Sequence, residues 1–193
     1  MEYDVADTDK GNSYKSNKVL TAFDSDAFAS VDLLLSLKNC NGRIGATGMC
    51  LGGHLAFRVR SSWNSGRTFR FSRFRQCALD DRILASVCYF PTDIHTGSLG
   101  APNGADTLER GAQGGIKGEV VLIFGVNDGH IPPAGRDLIR SKLTDPSMKP
   151  PLRLSFLELQ ASHAFIRDEL SKVGFLYPYT AHADAICHDV GTI

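Results

Sequence analysis

The segment Gly48-Met49-Cys50-Leu51-Gly52-Gly53 restricts the fold most. An apolar stretch from Arg43 to Met49 runs into a cysteine set among glycines and continues as a helix-forming stretch. A strand that turns into a helix within one residue holds that residue in a strained backbone conformation. Gly48 and Gly52 are then expected where any Cβ would collide with the neighbouring strand or helix, and Gly53 gives a second close approach. The helix behind Cys50 aims unpaired backbone N–H groups and a positive dipole end at the sulfur, which lowers a thiol pKa and can hold an oxyanion. The N–H of Leu51, the residue after the nucleophile, is the expected oxyanion donor.

Two more apolar runs end in chemistry. Glu119-Val-Val-Leu-Ile-Phe-Gly-Val-Asn-Asp128 is a buried-strand type of run that leads into Gly-His-Ile-Pro-Pro, so Asp128 falls at a strand's carboxyl end. Leu152-Arg-Leu-Ser-Phe-Leu-Glu-Leu159 reads as a further strand, with His163 in the loop after it. The carboxyl ends of strands line the ligand crevice of open α/β sheets, so Cys50, Asp128 and His163 can converge there. Their chain order is nucleophile, acid, histidine. Read singly, each has a plainer use: Cys50 as a small buried hydrophobe, His163 as a loop histidine, Asp128 as a turn or cap residue. Together, in this order, they favour a triad.

With these residues in view, the sequence resembles the dienelactone hydrolase family, the α/β-hydrolases with a cysteine nucleophile. The matching pieces are Gly48-x-Cys50-x-Gly52-Gly53, Asp128-x-x-Ile131-Pro132 and His163-x-Phe165-x-Arg167, within a resemblance that covers most of residues 1–59 and 77–173. It implies an α/β-hydrolase-like, mostly parallel sheet flanked by helices, and a Cys50/His163/Asp128 triad. It also implies Phe165 and Arg167 at the substrate, with Arg167 as an anchor for a substrate carboxylate; a solvated helix arginine paired with Asp168 or Glu169 is the alternative. Phe90-Pro91-Thr92-Asp93 is similar to the family's strand-end loop that lines the pocket. The implied activity is hydrolysis of small esters or lactones through a thioester, with no metal or organic cofactor.

The 21 basic and 21 acidic side chains cancel, so no global field draws the chain to nucleic acid or a membrane. The acidic, polar N-terminus has no apolar core of a signal peptide, and no apolar stretch is long enough to span a bilayer, which makes the cytoplasm the expected location. Cys40, Cys50, Cys77, Cys88 and Cys187 are odd in number and form no C-x-x-C pair, against a disulfide framework or a zinc cage. A reducing compartment suits a thiolate nucleophile.

The 193 residues fit a single domain. Residues 1–17 read as loop, and Val19 to Leu37 as an amphipathic helix with Phe23, Ala27, Val31, Leu34 and Leu35 on one face. The Cys50 strand, Ile83 to Phe90, Glu119 to Val126 and Leu152 to Leu159 are the expected strands, with a Pro132 to Leu143 helix between the last two. Relative to the family, the chain reads as N-terminally truncated: the resemblance implies further strands before Cys50, a second oxyanion donor there, and an acidic residue that manages the cysteine's proton. An open sheet edge would be a template for self-association. Residues 60–76, rich in arginine and aromatics, read as an atypical basic insertion outside the sheet, and 174–193 as a divergent tail. Two functions follow as candidates: a cysteine hydrolase of small esters or lactones, and a non-catalytic fragment or pseudo-enzyme acting by association.

Overall fold

The computed structural model describes residues 4–60, 82–100, 104–116, 118–147 and 151–166. The expectations for Arg167, for the tail 174–193 and for the insertion beyond Arg60 lie outside the described residues. Four strands, β1 (Ile44–Met49), β2 (Ile83–Tyr89), β3 (Glu119–Gly125) and β4 (Arg153–Leu159), form one all-parallel sheet whose order is the chain order. The expected parallel α/β sheet flanked by helices is therefore present. Met49 pairs with Tyr89, Tyr89 with Ile123 and Gly125 with Leu159, so the carboxyl ends of all four strands share one rim.

Helix α3 (Leu51–Arg60) joins β1 to β2, and α5 (Pro133–Leu143) joins β3 to β4. A short α4 (Thr107–Arg110) running into one π-turn, Gly111–Gly115, lies between β2 and β3. Pro133 opens α5, where its missing N–H has no intrahelical partner to lose. The core forms where these helices meet the sheet: Phe57, Phe90, Ile94, Leu122, Ile123, Phe124, Ile131, Ile139 and Leu143 are buried together. Each such side chain gains roughly 1.5–3 kcal/mol from leaving water.

Two expectations about the N-terminal part need correction. The stretch expected as loop over 1–17 is helical over Val5–Asn17, which forms α1. That helix has no apolar stripe and buries no residue, so hydrophobic periodicity could not announce it. Local polar chemistry holds it instead: the Asp4 carboxylate accepts from Asp7 N–H at 2.7 Å, and Lys15 pairs with Asp93 at 2.7 Å. In α2 (Leu20–Ser36), Val31, Ala27 and Leu35 meet Ile44 and Ile83, but Leu34 is 45% exposed. The contact follows the i, i+4 row through 27, 31 and 35, and Leu34 falls off that row to one side.

Arg136 of α5 is buried and ties the helix to two neighbours. Its guanidinium donates to Glu158 Oε1 at 2.6 Å and to the Ile131 carbonyl at 2.7 Å, on the loop that carries Asp128. Arg136→Met keeps the stem but leaves that carbonyl without its donor. We expect it to lower the free energy of unfolding by about 2–4 kcal/mol, measured by urea denaturation.

Candidate active site

Cys50 is the single residue between the last residue of β1 and the first of α3, with φ of 55°. Its N–H donates to the Tyr89 carbonyl at 3.0 Å and its carbonyl accepts from His54 N–H at 3.1 Å, so strand and helix both fix its backbone. A Cβ on Gly48 would lie 2.2 Å from the Gly52 carbonyl oxygen, and one on Gly53 would lie 2.7 Å from the Tyr89 oxygen. Gly52 departs from the expectation: a Cβ there meets nothing within 4 Å. The crowding arises where β1 and the end of β2 press on the first turn of α3, and Gly52 looks away from both.

The other two residues arrive on the same rim. Asp128, buried in the turn after β3, accepts from His163 Nδ1 at 2.7 Å and from the His130 backbone N–H at 2.8 Å. With Nδ1 so engaged, Nε2 is the ring nitrogen left for the Cys50 thiol, whose ionisation is coupled to that of His163. Cys50, His163 and Asp128 are therefore brought together in the order expected. His163 sits edge-on to Phe90, with ring centroids 4.9 Å apart, and against the His130 ring at 4.4 Å. Phe165 packs edge-on to Phe90 at 5.2 Å, which sets it in the same wall.

Charge follows this geometry. The hydrogen bond to His163 pulls the Cys50 thiol below its ordinary value; partial burial opposes it, and the Thr92 hydroxyl and the Leu51 N–H assist. Burial alone would lower His163, but its bonds to Asp128 and Cys50 prevail and raise it to about 9. Burial likewise pushes the Asp128 carboxyl up, and the bonds from His163 and His130 overcome it, leaving the group below the usual carboxylate range. The lowered thiol and the raised imidazole both shift the pair toward thiolate and imidazolium. By contrast, complete burial pushes the Cys88 thiol up.

The described non-glycine residues with left-handed backbone are Cys50, Phe90, Asp93 and Ala164, with φ of 55°, 34°, 63° and 60°. They lie in the segments that follow β1, β2 and β4, and each costs of order 1–3 kcal/mol. Strain of this kind persists where the surrounding packing over-determines the backbone.

Thr92 entered the sequence reading only as part of the 90–93 pocket loop, and His54 and Arg58 did not enter it. Thr92 places its hydroxyl oxygen 3.8 Å from Cys50 Sγ. His54 and Arg58 are buried below it. Their signal was present: Cys50, His54 and Arg58 stand at i, i+4 and i+8, one row down the inner face of α3. Among the described residues, no three His, Cys, Asp or Glu side chains gather as a metal ion would need, and no helix is long and apolar enough to cross a membrane.

Residues 4–71 match a model of the dienelactone hydrolase family. A Saccharomyces cerevisiae protein named "Putative carboxymethylenebutenolidase" is 46% identical over 178 residues, covering 91% of this chain and 57% of that protein. The chain thus spans little more than half the length of that relative. Among solved structures, a Klebsiella pneumoniae protein named "Putative Dienelactone Hydrolase" superposes with a TM-score of 0.53 at 16% identity, covering 75% of this chain and 52% of that one. An esterase of Pyrococcus furiosus does so with a TM-score of 0.54 at 17% identity, covering 83% and 62%. At these identities the structural likeness is one of fold.

Proposed function

Since the chain belongs to the dienelactone hydrolase family, we propose that it hydrolyses small carboxylic esters or lactones, with Cys50 as nucleophile, His163 as acid and base, and Asp128 as the group that orients His163. The observation that carries this reading is Cys50 on its strained elbow, its ionisation coupled to an imidazole that is itself held by a buried carboxylate. In the first half-reaction the thiolate adds to the carbonyl carbon, forming a C–S bond, and the oxyanion faces the Leu51 N–H. Collapse breaks the C–O bond, and His163 Nε2 gives its proton to the leaving alkoxide; in a lactone that alcohol stays tethered to the acyl group. In the second half, His163 takes a proton from water, the hydroxide adds to the thioester, and the C–S bond breaks to release the acid and restore the thiolate. One water is consumed for each ester.

Phe165, beside Phe90, lines the acyl pocket in this reading, and Arg167 anchors a carboxylate on the substrate. A thiolate nucleophile suits the reducing cytoplasm. A second reading is association without catalysis. It draws on β1, which pairs only with β2 among the described strands and leaves Met49 half exposed.

An activated aryl ester such as 4-nitrophenyl acetate tests between them. Hydrolysis predicts a burst of about one nitrophenolate per chain and an acetyl group on the Cys50 peptide by mass spectrometry. An acyl group found only on another residue, or no burst at all, overturns the catalytic reading, and concentration-dependent sedimentation would then support the second.

The pH dependence has a fixed sign. Activity needs the thiolate, so it falls on the acid side as Cys50 is protonated, and it falls on the alkaline side as His163 loses its proton at about 9. Because His163 is raised above its ordinary 6.5 by folding, its bonds stabilise the fold fully below 6.5 and are lost as pH rises through about 9. Asp128→Asn removes the acceptor at Nδ1. It should lower kcat/KM by about 10²–10⁴-fold and move the alkaline limb to lower pH. A profile unmoved by this change would exclude Asp128 as the partner of His163.

A further inference from the structure

We propose that His54 is a positioning residue that holds Thr92 over Cys50, so that the Thr92 hydroxyl stabilises the thiolate. The inference rests on the reading of Cys50 as the nucleophile, and it assigns work to two side chains that the triad does not use.

His54 lies one helical turn beyond Cys50 and is wholly buried. Its Nδ1 is 2.7 Å from the Thr92 carbonyl oxygen, and a carbonyl only accepts, so Nδ1 carries the proton. Its Nε2 is 2.9 Å from Thr107 Oγ1, and that oxygen already accepts from Arg58 Nη1 at 3.1 Å. The ring is wholly buried with no carboxylate among the described residues bonded to either nitrogen, so it is neutral; with Nδ1 protonated, Nε2 accepts, and the Thr107 hydroxyl donates to it. Arg58, itself buried, is fixed from the far side by Asp24 at 2.7 and 2.8 Å and by Asp106 at 3.0 Å. Burial agrees with this assignment, taking the His54 ring down to about 4, so it stays neutral across the working pH range.

The far end of the relay meets the nucleophile. Thr92 N–H donates to the Cys50 carbonyl at 3.4 Å and its hydroxyl stands 3.8 Å from the sulfur. The segment from Tyr89 to Thr92 can lie this close to α3 because Gly53 has no Cβ: one there would come within 3.3 Å of Pro91 Cα. A sulfur at that range accepts a hydrogen bond best as the thiolate, so a hydroxyl held there favours ionisation.

The test reads the thiol directly, by the pH dependence of iodoacetamide alkylation at Cys50, located by peptide mass. Thr92→Val keeps the shape without the hydroxyl; we expect its titration midpoint to rise and its alkylation rate at pH 6 to fall about 3- to 10-fold. Thr92→Ser should titrate like the parent. His54→Leu should reproduce the Thr92→Val shift, and His54→Asn, whose amide nitrogen falls near the Nδ1 position, should restore the parent value. The double variant Thr92→Val/His54→Leu should shift no further than Thr92→Val alone. Ester turnover should lose kcat with KM held within about two-fold. A parent-like titration in Thr92→Val, or in a folded His54→Leu whatever its melting temperature, overturns the proposal. If His54→Leu does not fold, Thr92→Val and His54→Asn decide by the same outcomes. Alkylation needs no ester turnover, so a failure of the hydrolase reading would show separately.

Discussion

Cys50→Ala is expected to lower kcat/KM for an activated aryl ester by about 10⁴-fold or more, while the protein keeps its fold. No other described cysteine can substitute. Cys88 is wholly buried with its thiol pushed up, and so is rarely a thiolate. Cys40 is half-buried in the turn before β1, at the opposite end of that strand from Cys50 and so roughly 20 Å from the strand-end rim. Alanine accepts the same left-handed backbone with no worse strain than cysteine, and what is removed is the sulfur. The melting temperature should therefore change by only a few degrees, and the lost rate should be chemical. Turnover by the Cys50→Ala protein at the parent rate would sink the assigned chemistry.

Gly48→Ala should leave no folded protein to assay. Its new Cβ would sit 2.2 and 2.3 Å from the carbonyl oxygen and carbon of Gly52, which are backbone atoms of the first turn of α3. A side chain could swing aside, but these atoms move only if the helix does. The cost is several kcal/mol against a total stability of about 5–15. Gly53→Ala should be nearly as damaging, since its contact is the Tyr89 carbonyl at 2.7 Å. Gly52→Ala is the control: it meets open space, and a gain of up to about 1 kcal/mol from better helix propensity is expected. Circular dichroism melts of the three variants measure the contrast. A Gly48→Ala protein that melts like the parent would mean the elbow is not as tight as described.

The elbow and the gathering of Cys50, Asp128 and His163 on one rim were legible in the sequence because of where each element ends: apolar runs stop at Cys50, Asp128 and the loop to His163, and glycines mark the turn. The bounds of β2 and β3 follow the apolar runs to within a residue. What stayed hidden has physical reasons. Helix α1 buries nothing, so no hydrophobic period reports it. Gly48 and Gly52 look equivalent in sequence, and only the packing of the strands on α3 decides which is crowded. His54 reads as an ordinary helix residue because its partners, Thr92 and Thr107, are 38 and 53 residues further along the chain.

The order of the sheet bears on how the protein matures. Since β1, β2, β3 and β4 lie side by side in chain order, each new strand leaving the ribosome can add to the edge of those already made, without threading past an earlier one. Cys50 emerges with the first of these strands, Asp128 after the third and His163 after the fourth. A nascent chain thus carries an ordinary thiol until the His163 loop docks, and it is then that the sulfur becomes reactive. In the proposed mechanism the nucleophile is thus made first and armed last, so incomplete chains are spared the oxidation and stray acylation that a thiolate invites.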